Sequence, residues 1–187
     1  MSRRLLTTLF LVLFGCFFGV LAVIGPPVPS AWAEDGRGAV AGFWAGEESI
    51  LEVTLFDDGL SARIFALTSP VYRPDEQAGP AGAVRLDDRN DDESLRARPV
   101  LGLELLSDYR YEDGRWQGQI YDPKTGNTYT SRMWVDRDGR LKMRGYLGVP
   151  MLGRTVEYVP VSECPPQVPA MLALVDEKPA SAAGCGE

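Results

Sequence analysis

From position 42 onward, apolar and polar residues alternate in short stretches separated by turn sequences, the period of a strand with one face on a core. The clearest run is four consecutive stretches: 115–121, 128–135, 140–147 and 154–161. In these, Trp116 and Ile120, then Tyr129, Met133 and Val135, then Leu141, Met143 and Leu147, and last Val156 and Tyr158 fall on one face. Asp122-Pro123-Lys124-Thr125-Gly126 and Asp138-Gly139 separate them, sequences in which proline fixes φ, aspartate caps a turn and glycine tolerates positive φ. Upstream, 42–44, 50–56 and 60–67 follow the same rule, and so does 100–106, where Leu101, Leu103 and Leu105 align ahead of a short 109–111 segment and Asp113-Gly114. After residue 33 no stretch carries a sustained helical period. The pattern predicts an all-β fold, and neighbours in sequence being neighbours in space makes it a single antiparallel up-and-down barrel of about eight strands, whose closure hides the strand edges.

Two regions break the alternation. Residues 68–99 collect Pro70, Pro74, Gly79-Pro80 and Gly82, then Asp87, Asp88, Asp91, Asp92 and Glu93. A loop of this length inside a barrel predicts a cover for one end, its acidic part solvated and mobile, since it lacks the glycine and glutamate spacing of an EF-hand. Residues 162–187 form a Pro-rich tail in which 171–175 is a short helical turn or a docked strip.

Residues 1–33 have the form of a secretory signal: Arg3-Arg4, an apolar run at 5–24, Gly25-Pro26-Pro27, then Ala31-Trp32-Ala33. Cleavage before Glu34 leaves a polar lead over 34–41 and a periplasmic or secreted protein. The alternatives are an uncleaved run kept as a membrane anchor, or a lipid on Cys16. In an oxidising compartment the remaining pair, Cys164 and Cys185, predicts a disulfide pinning the tail. Of 19 basic residues Arg3 and Arg4 precede the cleavage point and all 26 acids follow it, so 17 against 26 gives a net charge of −9. That balance disfavours nucleic acid, and a membrane is expected as partner only if the N-terminal segment is retained.

The run 118–129, with Gly118, Ile120, Asp122-Pro123, Gly126 and Tyr129, continues into Asp138-Gly139, Leu141, Arg144-Gly145-Tyr146, Gly148 and Leu152-Gly153-Arg154-Thr155. Together with Gly42-Phe43-Trp44, Asn90, 95–99 and Gly102-Leu103, this resembles a family of secreted bacterial proteins of unknown function with a lipocalin-like barrel, over about residues 42–161. The family usually ends with Trp and Arg where this chain has Tyr158 and Pro160, and favours Asn-Pro-Asp where it has Asn90-Asp91-Asp92. The resemblance implies architecture, export and a cavity for a small apolar ligand; it supplies no catalytic residues and no cofactor.

The chain contains no histidine, which removes the commonest general base and metal ligand, and no nucleophile elbow, phosphate loop or zinc motif occurs. A carboxylate-based hydrolase is the remaining enzymatic alternative to a non-enzymatic protein. Trp116, Ile120, Tyr129, Met133, Met143 and Tyr158 are expected on the concave face as cavity lining. Arg144, Tyr146 and Arg154 are polar candidates; by parity Arg144 and Tyr146 fall outside the core unless a bulge at Gly145 swaps them. These residues predict a binding protein holding a small apolar or amphipathic ligand. The alternative is an envelope interaction module with a solid core that meets a protein partner through its outer face or tail.

Overall fold

The computed structural model describes residues 36–57 and 59–185, so the expected export signal lies outside the described residues. Eight strands form one antiparallel sheet: β1 (Gly42–Ala45), β2 (Ser49–Leu55), β3 (Leu60–Leu67), β4 (Leu106–Glu112), β5 (Arg115–Asp122), β6 (Asn127–Val135), β7 (Leu141–Tyr146) and β8 (Arg154–Pro160). Their order, β3-β2-β1-β8-β7-β6-β5-β4, is the sequence order rotated, as an up-and-down barrel requires.

Closure happens just ahead of β4. The Ile64 amide donates to the Leu103 carbonyl at 3.1 Å, the Gly102 amide to Ile64 at 2.8 Å and the Leu105 amide to Ala62 at 2.8 Å. Residues 100–106 are therefore not the strand that their alternation predicts. They form a lacing segment, and β4 begins at Leu106, absorbing the expected 109–111 piece. Leu103 and Leu105 are still buried, because those bonds to β3 hold the strand-like direction of their side chains.

The turns follow from local chemistry. Asp113 and Gly114 both sit at positive φ, 51° and 74°, which lets a two-residue turn match the twist of β4 and β5. Asp136 accepts from the Asp138 and Arg140 amides, each at 3.0 Å, and so caps the β6–β7 turn.

Inward residues from all strands make one core: Trp44, Leu51, Val53, Ala62, Ile64, Tyr109, Trp116, Met133, Leu141 and Met143 are buried in it. A second cluster lies on the outer side, where Val168, Met171 and Leu172 of the short helix α1 (Val168–Leu172) join Ala45, Ile50, Ala66 and Val161. An irregularity in the β2–β3 register between Ile50 and Leu51 lets consecutive residues serve the two cores. The Pro-rich tail is thus docked, and a disulfide joins Cys164 to Cys185.

The two ends of the barrel differ. At one, the plug end, a 3-10 turn (Arg37–Val40) lies near the β4–β5 and β6–β7 turns. At the other, the loop end, are the 46–48 turn, the 68–99 loop, the 123–126 turn and the 147–153 loop.

Candidate functional site

The plug end holds a recess with a largely apolar lining. Trp116 Nε1 donates to the Arg37 carbonyl at 3.0 Å, and Trp44 Nε1 to the Val40 carbonyl at 2.8 Å, so two core indoles tie the 3-10 turn across the barrel end. Between that turn and the ends of β4–β6 is a recess of about 260 Å³. Val40, Tyr111, Trp116, Met133 and Val135 give it an apolar lining. Of the six residues expected to line a cavity, it brings together Trp116 and Met133.

The other four lie elsewhere. Met143 is buried in the core, Ile120 and Tyr158 pack against it partly buried, and Tyr129 is half-buried opposite Ile120. Tyr158 reaches toward Gly46, and burial, with the Asp122 charge adding to it, pushes its phenol up to about 12.

The middle of the barrel is occupied by a residue that alternation alone does not single out. In β4, Asp108 and Tyr109 stand opposite the single residue Gly118, a bulge with Asp108 at φ 57°. The bulge turns Tyr109 inward across Gly118, where its hydroxyl hydrogen-bonds to the buried Ser131 hydroxyl. The space left by the missing side chain of Gly118 is filled by this ring. Burial raises the Tyr109 phenol to about 12. Where β3 and β4 part beside the bulge, an open cleft of about 370 Å³ is lined by Phe56, Leu60 and residues 108–110.

The polar candidates separate. Register runs without a shift from β6 through β8 at Gly145, so Arg144 faces outward, donating to Thr155 Oγ1 at 3.0 Å and to the Met151 carbonyl at 3.3 Å. Tyr146 has the same outward parity yet is buried. Arg154, opposite Gly145, has inward parity but is exposed at the loop end, and among the described residues it has no ion-pair partner.

In the 68–99 loop Asp88, Asp91, Asp92 and Glu93 are exposed, as expected of a solvated acidic stretch, and one member of the cluster departs from it. Asp87 is fully buried. Its Oδ1 accepts from the Tyr121 hydroxyl at 2.5 Å and its Oδ2 from Asn90 Nδ2 at 2.9 Å, while Arg98 Nη2 stands 2.8 Å from Oδ2. Burial, then the adjoining Asp87, raises the Tyr121 phenol to about 12. Arg89 donates to the Lys124 carbonyl at 2.7 Å, so the loop is pinned to the β5–β6 turn and to the outward-facing Tyr121. A charge can stay buried here because hydrogen bonds and a cation satisfy it. Among the described residues, no cluster of three or more Asp, Glu or Cys side chains has the geometry of a metal site.

A small antiparallel barrel, closed by lacing rather than by a ninth strand and plugged at one end by its N-terminal segment, is lipocalin-like. Residues 42–159 match a family described as uncharacterized proteins conserved in bacteria (DUF2147), and the chain belongs to that family. Among solved structures it is similar to protein HP1028 from the human pathogen Helicobacter pylori, assigned to the lipocalin family, with a TM-score of 0.53 and 19% identity over 78% of this chain and 96% of that one. At that identity the likeness bears on fold alone. No curated protein matches the chain.

Proposed function

We propose that the protein is an exported, non-catalytic binding barrel that holds a small apolar or amphipathic ligand in the plug-end recess, beneath the Arg37–Val40 turn. The observation that carries this is the recess itself: Trp116 and Met133, buried in the core, form its floor, and its wall is the short Arg37–Val40 segment. Apolar walls with a few fixed polar groups are the usual make-up of small-molecule sites. The lipocalin-like fold supports the same reading, and the disulfide together with the N-terminal pattern supports an oxidising compartment outside the cytoplasm. Asp87, the buried carboxylate, is committed to Arg98, Tyr121 and Asn90, an arrangement that supports a structural rather than an acid–base role.

The test is mass spectrometry of the purified protein under native conditions and after denaturation, followed by titration of small aromatic alcohols monitored by tryptophan fluorescence. The expected result is an extra mass released on unfolding, or saturable quenching, and its loss in Ala39→Trp, which fills the recess from its exposed wall. No released mass and no saturable quenching sinks the proposal. The filled centre around Tyr109 favours the second reading, a solid-core interaction module, and in that case the docked tail leaves the barrel's outer face as the surface available to a partner.

A further inference from the structure

At the loop end, away from the recess, the β7–β8 hairpin carries a tip that none of the described residues covers. Leu147, Val149, Met151 and Leu152 are 67%, 54%, 89% and 83% exposed. Val156 has the parity of the partly buried Tyr158, yet is 44% exposed. Next to it, Lys124 of the 123–126 turn forms an ion pair with Glu48 of the 46–48 turn, although β8 and β7 lie between their strands in the sheet. That pair spans the rim, and the apolar side chains of the 147–152 tip stand largely in solvent. The tip is ordered: Leu152 N donates to the Val149 carbonyl at 3.2 Å, and Arg144 holds the Met151 carbonyl from below.

Isolated exposed apolar residues need no explanation, but four on one loop mark an interaction surface. Its shape and charge say which kind. The four side chains stand largely in solvent, so they suit a medium they can enter rather than a pocket they would have to match. No Asp or Glu occurs between Asp138 and Glu157 in a chain with 26 of them. The basic residues of that stretch near the plug end are neutralised, Arg140 by Glu163 and Lys142 by Asp136 and Glu157. Arg154, at the base of the tip, is not.

We propose that the 147–152 tip docks on an anionic phospholipid bilayer, the four apolar side chains entering the headgroup boundary while Arg154 meets the phosphates. Apolar insertion beside a cationic side chain is the physical basis of interfacial membrane binding, and the absence of acids near the tip leaves no charge there to repel an anionic surface. The chain as a whole is acidic, so contact is confined to this end. This surface stands independently of the recess and of any ligand in it.

The test is co-sedimentation of the chain starting at Glu34, which retains every described residue, with vesicles of phosphatidylcholine alone or mixed with phosphatidylglycerol. Binding to the mixed vesicles is expected to exceed that to phosphatidylcholine by about tenfold and to weaken as sodium chloride is raised. Met151→Asp with Leu152→Asp should abolish it without changing the melting temperature, since both side chains project into solvent; Arg154→Glu should remove the preference for anionic vesicles. The proposal is overturned if anionic vesicles sediment no protein, if both vesicle types bind equally, or if the double variant binds like wild type. A tip-dependent dimer without vesicle binding would assign the tip to a second copy and overturn it equally.

Discussion

The ring of Tyr109 lies where a side chain at position 118 would have to be. A Cβ built on Gly118 falls 2.8 Å from both the Tyr109 Cα and the Ser107 carbonyl oxygen, backbone atoms that cannot swing aside. Gly118→Ala should therefore destabilise the barrel by about 1–3 kcal/mol, the cost of overpacking a filled core. Gly145→Ala is the internal control. Its Cβ would meet Tyr129 at 3.6 Å, an ordinary contact, and the expected change is within about 0.5 kcal/mol. Urea denaturation of both variants decides it, and equal effects would mean that the bulge does not place Tyr109 as described.

This pair also marks the limit of what the sequence shows. Alternation locates the strands because a period of two is a local property, and β3 is read to the residue, 60–67. The bulge is not local: it consists of two residues of β4 counted against one of β5, and nothing near Tyr109 reveals that its partner is a glycine. Trp116 and Met133 are legible as inward-facing, whereas the recess they floor depends on a polar lead whose position is fixed by distant side chains, Trp116 and Trp44 among them. In the 68–99 loop Asp87 alone of the acidic cluster is misread, for the converse reason. Acid-rich composition argues for solvation, but Asp87 finds its partners 11 and 34 positions away, in Arg98 and Tyr121.

Those partners make the loop's stability depend on one ion pair. Arg98→Ala leaves the Asp87 carboxylate buried without a cation, and should cost roughly 2–4 kcal/mol, below the usual range for breaking a buried pair because Arg98 is partly in solvent. Trypsin should then cut the loop at Arg85, Arg89 or Arg96 faster than in wild type. Removing Asp87 as well, in Asp87→Ala with Arg98→Ala, should cost less than the sum of the two single changes by about 1 kcal/mol or more. Additive effects would show that the two side chains do not act as a unit.

Alkaline pH gives a second handle on the buried side chains. Tyr109, Tyr121 and Tyr158 have phenols raised from 10.0 to about 12, each chiefly by burial. A raised acid binds more protons folded than unfolded between those values, so the stability it contributes is fully present below pH 10 and is lost as pH rises toward 12. Unfolding free energy should be insensitive to these three groups up to about pH 9 and fall steeply above pH 10. Tyrosinate absorbance should show Tyr109, Tyr121 and Tyr158 still protonated at pH 11, their signal appearing together with unfolding. Full ionisation near pH 10 with the fold intact would contradict the burial of all three.

The disulfide makes a different kind of prediction, because both its cysteines lie beyond β8. Cys164 and Cys185, 21 residues apart, close a loop around α1 and the outer cluster and cross-link no two strands of the barrel. In the chain-entropy account a loop of this size contributes about 3 kcal/mol, and the burial of Val168, Met171 and Leu172 against Ile50 and Ala66 must hold the tail unaided once the bond is gone. Cys164→Ser with Cys185→Ser should therefore release the tail before it melts the barrel. Hydrogen exchange checks this directly: the amides of Met171, Ala173 and Cys185, which are hydrogen-bonded within the tail, should lose protection, while those of the β5–β6 pair keep it. The barrel core around Trp116 shares no residue with the outer cluster, so the two have separate packing to lose. Simultaneous loss of protection in β5, β6 and the tail would instead make the outer cluster part of the barrel's own cooperative unit.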